Sequence, residues 1–199
     1  MISKTYITAW RQTAPWALDT QVEQDLVISR ALVELFTDPY LRKAVAFRGG
    51  TALHKIFLQP PGRYSEDIDL VQVDGKPIGP ILDAIHARLD PWLGKPQWKQ
   101  GAGRATLTYR FDSESQPITA LKLKVEINTR EHFSLMGYKS VKYSVDNPWF
   151  NGTAPILTFQ IEELLGTKLR ALYNAKRDAT CLTYLNLWSE FLRSIRNKS

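Results

Sequence analysis

The chain has 199 residues, of which 44% are hydrophobic, and its 26 Lys and Arg against 20 Asp and Glu give a net charge of +6. This apolar content and modest charge exclude a disordered chain, and the single cysteine, Cys181, excludes a disulfide scaffold. One Cys and three His cannot supply a zinc finger, and no apolar run is long enough to span a membrane. Because the N-terminus lacks the apolar region of a signal peptide, we expect a cytoplasmic protein with no membrane partner.

Hydrophobic spacing predicts the elements in chain order. The first are a helix over 22–36, a buried strand over 44–47, a helix over 51–58 with Thr51 near its N-cap, a strand over 68–73 and a helix over 78–93. Then follow strands over 105–111 and 121–128, a loop over 130–138, a strand to 145, a short strand over 155–159 and a helix from 160. Asp178 is the expected cap of a last helix to about residue 195.

This order of elements is typical of an α+β fold, with a mixed sheet flanked by helices and a C-terminal helical part. We expect one core over residues 1–159, including the N-terminal helix, and C-terminal helices over 160–199 that pack on it.

Two acids, Asp67 and Asp69, stand two residues apart at the start of a predicted strand. Side chains of a strand alternate faces, so both carboxylates project to one side and Ile68 and Leu70 to the other, buried side. Carboxylates held this close repel each other unless a cation lies between them, and oxygen ligands of this kind suit Mg²⁺ or Mn²⁺. The pattern predicts a metal site, although a strand end with two solvated acids also fits it.

Gly49, Gly50 and Thr51 follow the strand predicted over 44–47. Glycines let the backbone approach a ligand closely, and a helix beginning at Thr51 would direct free N–H groups at an anion. An ordinary tight turn with a helix cap is the other interpretation. A phosphate-binding turn followed by a metal-binding D-x-D on an adjacent strand is a rarer combination, and it is the one that nucleotidyl transfer requires.

A third carboxylate is expected for a two-metal site, and the strand over 121–128 offers Glu126. Alternation places Glu126 on the polar face of that strand, together with Lys122 and Lys124. An edge strand with a solvated Lys–Glu face is an equally good interpretation of this segment.

Four stretches, FRGGTALHKIF, RYSEDIDL, KVEIN and IEELLGTKLRALYNAKRD, together resemble the AbiEii/AbiGii-type nucleotidyltransferase toxins, which include the MenT toxins. The resemblance extends over roughly residues 44–178. It implies a fold of the polymerase-beta-like nucleotidyltransferase superfamily and an enzyme that uses an NTP and Mg²⁺. It also implies a toxin paired with an AbiEi-like antitoxin, and for some MenT members the addition of nucleotides to the 3′ end of tRNA.

The resemblance further implies roles for single residues. The matched positions are Gly50 and Thr51 for the nucleotide-gripping turn, Ser65 for the serine before the acids, Asp67 and Asp69 for the metal ligands, Glu126 for the later carboxylate, Lys168 for the lysine of the E-x-x-x-x-K helix and Asp178 for the acid of the Arg-Asp motif. The candidate nucleotide-binding set also includes Gly49, Arg63 and Lys168. Lys168 would suit a triphosphate or would only extend along an apolar helix face, and Arg63 contacts phosphate or lies in a loop.

The segment from Lys168 to Lys198 carries seven basic and two acidic residues, a net charge of +5, interleaved with Tyr173, Tyr184 and Trp188. A basic aromatic surface can bind phosphates and stack unpaired bases, although aromatic side chains more often pack a core. In the same segment Cys181 stands where the family's Arg-Asp motif usually continues to a second acid.

The residues therefore predict an Mg²⁺-dependent nucleotidyltransferase that moves NMP from an NTP to an acceptor hydroxyl. The resemblance implies that the acceptor is the 3′ end of tRNA or another RNA and that the protein is the toxin of a bacterial toxin–antitoxin system. Two alternatives stay open. The chain is a catalytically degenerate module that binds nucleotide, RNA or a partner protein, or it is a metal-dependent phosphoesterase that uses the same acids on water.

Overall fold

The computed structural model describes residues 2–58, 64–101 and 103–174. In chain order its elements are α1 (Lys4–Trp10), α2 (Asp19–Thr37), α3 (Leu41–Ala44), β1 (Val45–Arg48), α4 (Gly49–Ala52), a π-helix (Leu53–Phe57), β2 (Asp67–Gln72), α5 (Gly79–Leu93), β3 (Gln97–Gly101), β4 (Arg104–Asp112), β5 (Ala120–Asn128), β6 (Tyr138–Asn147), β7 (Phe150–Phe159) and α6 (Ile161–Asn174).

The described strands form one mixed sheet of seven, in the order β3-β4-β5-β2-β1-β7-β6. β2 pairs in parallel with β5, and β1 pairs in parallel with β7, while the other neighbours are antiparallel. Since strands β1 and β2 lie side by side near the centre of the sheet, the glycine turn that follows β1 lies beside the acids of β2. The α+β class with a mixed sheet is confirmed.

The core forms between the sheet and α2, which packs against β7, β5 and β6. Alternation in β4 and β5 buries one face of each strand, as the period-two pattern predicts. Large buried side chains from both layers fill the core, among them Leu26, Leu32, Phe36, Phe47, Ile68, Leu70 and Tyr109. The burial of these apolar surfaces is the main contribution to the free energy that keeps the sheet packed on α2.

Most predicted elements are present, with boundaries shifted by a few residues. The helix expected over 51–58 is wrong in two respects, because it begins at Gly49 and widens into the π-helix after Ala52. The N-cap position is Arg48, so Thr51, expected near the N-cap, is the third residue of the helix. α1, α3 and β3 are additional elements, and the last helix expected to residue 195 lies outside the described residues.

The chain divides into two compact units, residues 1–161 and 162–199. The sheet and α1 to α5 belong to the first unit. In the described part of the second unit, α6 has Glu162 and Glu163 in its first turn, where negative charges interact favourably with the positive end of the helix dipole. The expected packing of the C-terminal helices on the core stays a prediction. Among the described helices, none combines the length and the apolar character that a membrane crossing requires.

Candidate active site

The backbone of Gly49 lies directly against the carboxylate of Asp69. Arg48, the last residue of β1, is the register partner of Asp69 in β2, and Gly49 turns out of the strand with φ of +84°. A Cβ atom built at Gly49 would lie 2.0 Å from Asp69 Oδ2. Only glycine satisfies both the left-handed backbone and this approach. The close approach predicted for the glycine turn is thus made to the protein's own acid.

Thr51 ties the turn to the strand that carries the acids. Its side chain is fully buried, and its hydroxyl donates a hydrogen bond to the Asp67 carbonyl oxygen at 2.6 Å. The same hydroxyl lies 2.7 Å from Ser65 Oγ. The structure therefore brings together the glycine turn, Ser65 and Asp67, three features that the sequence places up to 18 residues apart.

Three carboxylates share one polar face of the sheet. In the parallel pairing of β2 with β5, Asp67 is the register partner of Lys124 and Asp69 is the partner of Glu126. Register partners project to the same face, so Glu126 lies on the face of Asp67 and Asp69, as its position in the strand predicts. Ile68 and Leu70 are buried on the opposite face.

Cations already engage part of this face. Lys124 Nζ lies 2.8 Å from Glu126 Oε2 and 3.9 Å from Asp67 Oδ2. Arg104 Nε lies 3.0 Å from Glu126 Oε1. The hydrogen bond to Glu126 raises the pKa of Lys124, so this lysine is a cation at neutral pH. Both oxygens of Glu126 are therefore held by basic side chains.

The pKa of Asp67 is raised above its usual range. Desolvation by burial is the largest cause, opposed by Lys124, while the neighbouring Glu66 and Glu126 raise it further. When burial and neighbouring acids raise the pKa of a carboxyl group, an additional cation stabilises its ionised form. The charge of Lys124 thus does not fully offset the effects that raise the pKa of Asp67.

The two aspartates fit a divalent metal better than the full triad does. No cluster of three or more His, Cys, Asp or Glu within the described residues could hold a metal ion. Asp67 and Asp69 present hard oxygen donors on one face, and burial together with Glu66 and Glu126 raises the pKa of Asp67, an effect that a bound cation would oppose. A cation such as Mg²⁺ that keeps water and phosphate ligands needs only one or two protein carboxylates.

A loop after β5 reaches back to the glycine turn. Arg48 Nη1 donates to Glu131 Oε2 at 2.7 Å. Asn128 Oδ1 accepts hydrogen bonds from the backbone N–H groups of Arg130 and Glu131, which turn the chain after β5. The loop is thereby fixed to the residue that precedes Gly49.

Sequence reasoning missed the basic residues of this site: Arg48, Arg104 and Lys124. Arg48 lies within the FRGGT stretch and Lys124 lies two residues before Glu126 on the same strand face, and these positions are the signals that could have identified both residues. Arg104 is brought to Glu126 only by the pairing of β4 with β5. Of the remaining candidates, Lys168 lies on α6 in the second unit, and Arg63, Asp178 and Cys181 lie outside the described residues.

Two solved structures share this fold. MenT4, a nucleotidyltransferase toxin from Mycobacterium tuberculosis H37Rv, superposes with a TM-score of 0.64 at 17% identity, covering 86% of this chain and 59% of that one. A protein from H. pylori assigned as a nucleotidyltransferase superposes with a TM-score of 0.54 at 18% identity, covering 76% of this chain and 59% of that one. The chain thus spans about three fifths of the length of each.

No curated protein matches the sequence. A family model described as nucleotidyl transferase AbiEii toxin, type IV toxin–antitoxin system, matches residues 30–180, which include the glycine turn and every acid of the polar face. The chain therefore belongs to the AbiEii nucleotidyl transferase toxin family.

Proposed function

We propose that the protein transfers NMP from an NTP to an acceptor hydroxyl at the 3′ end of tRNA or another RNA. The observation that carries the proposal is the convergence of the glycine turn with Asp67 and Asp69 on one polar face. Membership of the AbiEii family supports the same reaction class.

In this proposal Asp67 and Asp69 would hold a divalent cation, Mg²⁺ or Mn²⁺, which would neutralise phosphate charge. The turn at Gly50 and Thr51 binds the β- and γ-phosphates. The acceptor oxygen forms a bond to the α-phosphorus, the bond from that phosphorus to the bridging oxygen breaks, and pyrophosphate leaves while the hydroxyl proton passes to solvent. Positioning and charge neutralisation supply most of the catalysis.

Arg104 and Lys124 add positive charge beside the acids. Their contacts with Glu126 hold both cations on the polar face, where they can offset the developing charge of the phosphates. We propose for Glu126 a role in positioning these two side chains, and the metal contact expected of it stays a prediction. For Lys168 and Asp178 the proposed roles follow from the family motif alone.

The family's toxin–antitoxin assignment leads us to propose a toxic activity in the cytoplasm that a cognate, AbiEi-like antitoxin restrains. Induced expression with and without a co-expressed antitoxin, scored by growth, tests this role. Growth arrest that persists in an Asp69→Asn variant would separate the toxicity from the proposed chemistry.

The enzymatic test combines α-labelled NTPs, Mg²⁺ and total RNA with the purified protein. We expect label in RNA, and loss of at least about a hundredfold in rate for Asp67→Asn and Asp69→Asn. Asp74→Asn is the matched control, because Asp74 follows β2 and its ion pair within the described part of the chain is with the exposed Lys76. If no NTP labels RNA or protein, or if the active-site variants equal the control, the proposal fails.

One observation favours a second candidate, nucleotide binding without turnover. Lys124 Nζ is bonded to Glu126 and lies near Asp67, which partly supplies the positive charge that a metal would bring. Calorimetry that shows NTP binding of equal strength with and without Mg²⁺, in protein that gives no labelled product, would support this candidate. Release of NMP or cleaved RNA would instead indicate a phosphoesterase.

A further inference from the structure

The sheet face that carries the acids continues over β5, β4 and β3 as a basic surface. Register partners share a face, so the pairing of β3 and β4 with β5 identifies the residues on it. Its cations, which define the basic face, are Lys99, Arg104, Arg110, Lys122 and Lys124. Its carboxylates are Asp112 and Glu126, so the basic face has a net charge of +3.

Helices α2 and α5 pack on the opposite face of these strands. Leu107, Tyr109 and Val125 are buried there, and the Tyr109 hydroxyl donates to Asp90 Oδ1 of α5 at 2.9 Å. α2 contacts β5, and α5 contacts β4. On the basic face the cations are exposed, except for the half-buried Lys124. Their charged groups are thus accessible to a macromolecule in solution.

Ion pairs neutralise only part of this positive charge. Arg104 and Lys124 contact the two oxygens of Glu126. Lys99, Arg110 and Lys122, in contrast, form no ion pair with any residue in the ranges that the structure describes. Three cations therefore remain available to a polyanion, whose binding would be driven by the release of its counterions.

The basic face leads directly to the proposed metal ligands. Lys99 and Asp69 lie in one row of register partners that crosses β3, β4, β5 and β2. Three strand spacings separate them, about 14 Å. Lys122 lies near enough to Asp67 to lower the pKa of that carboxyl group. A polyanion bound to this face would therefore reach the place where the acceptor hydroxyl has to lie.

The composition of the basic face favours RNA over a protein partner. Its uncharged residues are small or polar, namely Gln97, Gly101, Thr106, Thr108, Ala120 and Asn128. Protein interfaces are built around buried aromatic or other large anchors and are depleted in lysine. A phosphodiester backbone requires only cations and hydrogen-bond donors, which the basic side chains and the threonine hydroxyls supply.

Resting on the nucleotidyl transfer proposed above, we propose that the basic face binds the sugar–phosphate backbone of the RNA acceptor and directs its 3′ end to Asp67 and Asp69. Lys99, Arg110 and Lys122 contact the phosphates and do not read the base sequence.

Fluorescence anisotropy with a labelled oligouridine measures the binding without any need for turnover. Arg110→Gln/Lys122→Gln should weaken affinity about 20-fold at about 0.1 M salt and reduce the slope of log K against log salt concentration by about 1.4. The control is Arg42→Gln/Lys43→Gln, which removes the same charges from α3 beside α2 and α5 and should retain the affinity. All four substituted side chains are exposed, and thermal melts check that both variants fold.

Labelling kinetics with total RNA then separate this inference from the catalytic proposal. In Arg110→Gln/Lys122→Gln the KM for RNA should rise about as much as the affinity falls, with kcat within about twofold of the wild type. If RNA is labelled but this variant binds oligouridine like the control, the surface proposal fails and the chemistry stands. If RNA is not labelled but the variant loses affinity, the chemistry fails and the RNA surface stands. Binding of poly-glutamate as tightly as oligouridine would overturn RNA as the occupant and indicate an acidic protein.

Discussion

Gly49 and Asp69 are in such close contact that the glycine position has no room for a side chain. A Cβ at Gly49 would overlap Asp69 Oδ2, and the backbone φ of +84° already disfavours any other residue. The carboxylate is thus positioned by the main chain of the turn, which links the conformation of the turn to the geometry of the proposed metal ligand.

Gly49→Ala should therefore reduce activity about a hundredfold by displacing Asp69, besides destabilising the fold by roughly 1–3 kcal/mol through the strained φ. RNA labelling and urea unfolding measure the two effects. Gly94→Ala is the matched control, because Gly94 has φ of +76° with no atom within 4 Å of the added Cβ. A similar loss of activity in both variants would contradict the proposed contact.

Thr51→Val should destabilise the protein by about 1–3 kcal/mol, because it removes the buried hydroxyl that donates to the Asp67 carbonyl. The substitution conserves shape, so the loss reports the hydrogen bond. Thr51→Ser keeps the hydroxyl and should retain most of the wild-type stability. If the valine variant unfolds at the wild-type urea concentration, the bond does not stabilise the turn.

Lys124→Gln should shift the acidic limb of the pH–activity profile to higher pH. Lys124 lowers the pKa of Asp67, whose net shift is upward, so removing the ammonium raises that pKa further. Asp67 must be ionised to hold a cation, and the variant therefore loses activity at a pH where the wild type retains it. The exposed Lys43→Gln serves as the control, and an unchanged limb in Lys124→Gln would show that Asp67 does not govern it.

Because of Glu23, the free energy of unfolding should fall as the pH rises from about 4.5 to 7. Its side chain is fully buried, and desolvation raises its pKa from 4.5 to about 7. Within this window the folded state holds more protons than the unfolded state, so the free energy of unfolding falls with increasing pH, by about 3 kcal/mol at most. Glu23→Gln keeps an acceptor for the Glu114 N–H and should flatten this slope in urea titrations, whereas Glu34→Gln should retain it.

Lys55→Met should destabilise the fold by about 3–5 kcal/mol, because it leaves Asp25 buried without its cation. Although desolvation opposes ionisation, Lys55 holds the pKa of Asp25 well below its usual range. The comparison is Arg11→Gln, which breaks an exposed pair with Asp19 and should cost less than about 1 kcal/mol. Equal unfolding free energies for the two variants would show that burial of the Asp25–Lys55 pair contributes nothing.

Much of the fold could be predicted because its elements have strong periodic patterns. β5 buries one face, as its alternation predicts, whereas α2 is buried nearly all round, with every residue of 22–29 buried. The observed elements span Asp19–Thr37 and Ala120–Asn128 against predictions of 22–36 and 121–128. β3 could not be predicted, since all five of its residues are exposed and only its pairing with β4 makes it a strand. The π-helix likewise involves a tertiary contact, because the side chain of Lys55 extends from it and pairs with Asp25 on α2.

The sequence by itself determined which chemical groups are present and the face on which each one lies. Alternation alone put Asp67 and Asp69 together and placed Glu126 on a polar strand face, since the side-chain period of a strand is a local property. Only the tertiary structure decided what each acid meets. The parallel register of β2 with β5 places Glu126 beside Asp69, and the oxygens of Glu126 contact Lys124 and Arg104. The turn after β1 places the Gly49 backbone against Asp69. Strand register joins residues distant in the chain, so no local pattern encodes it.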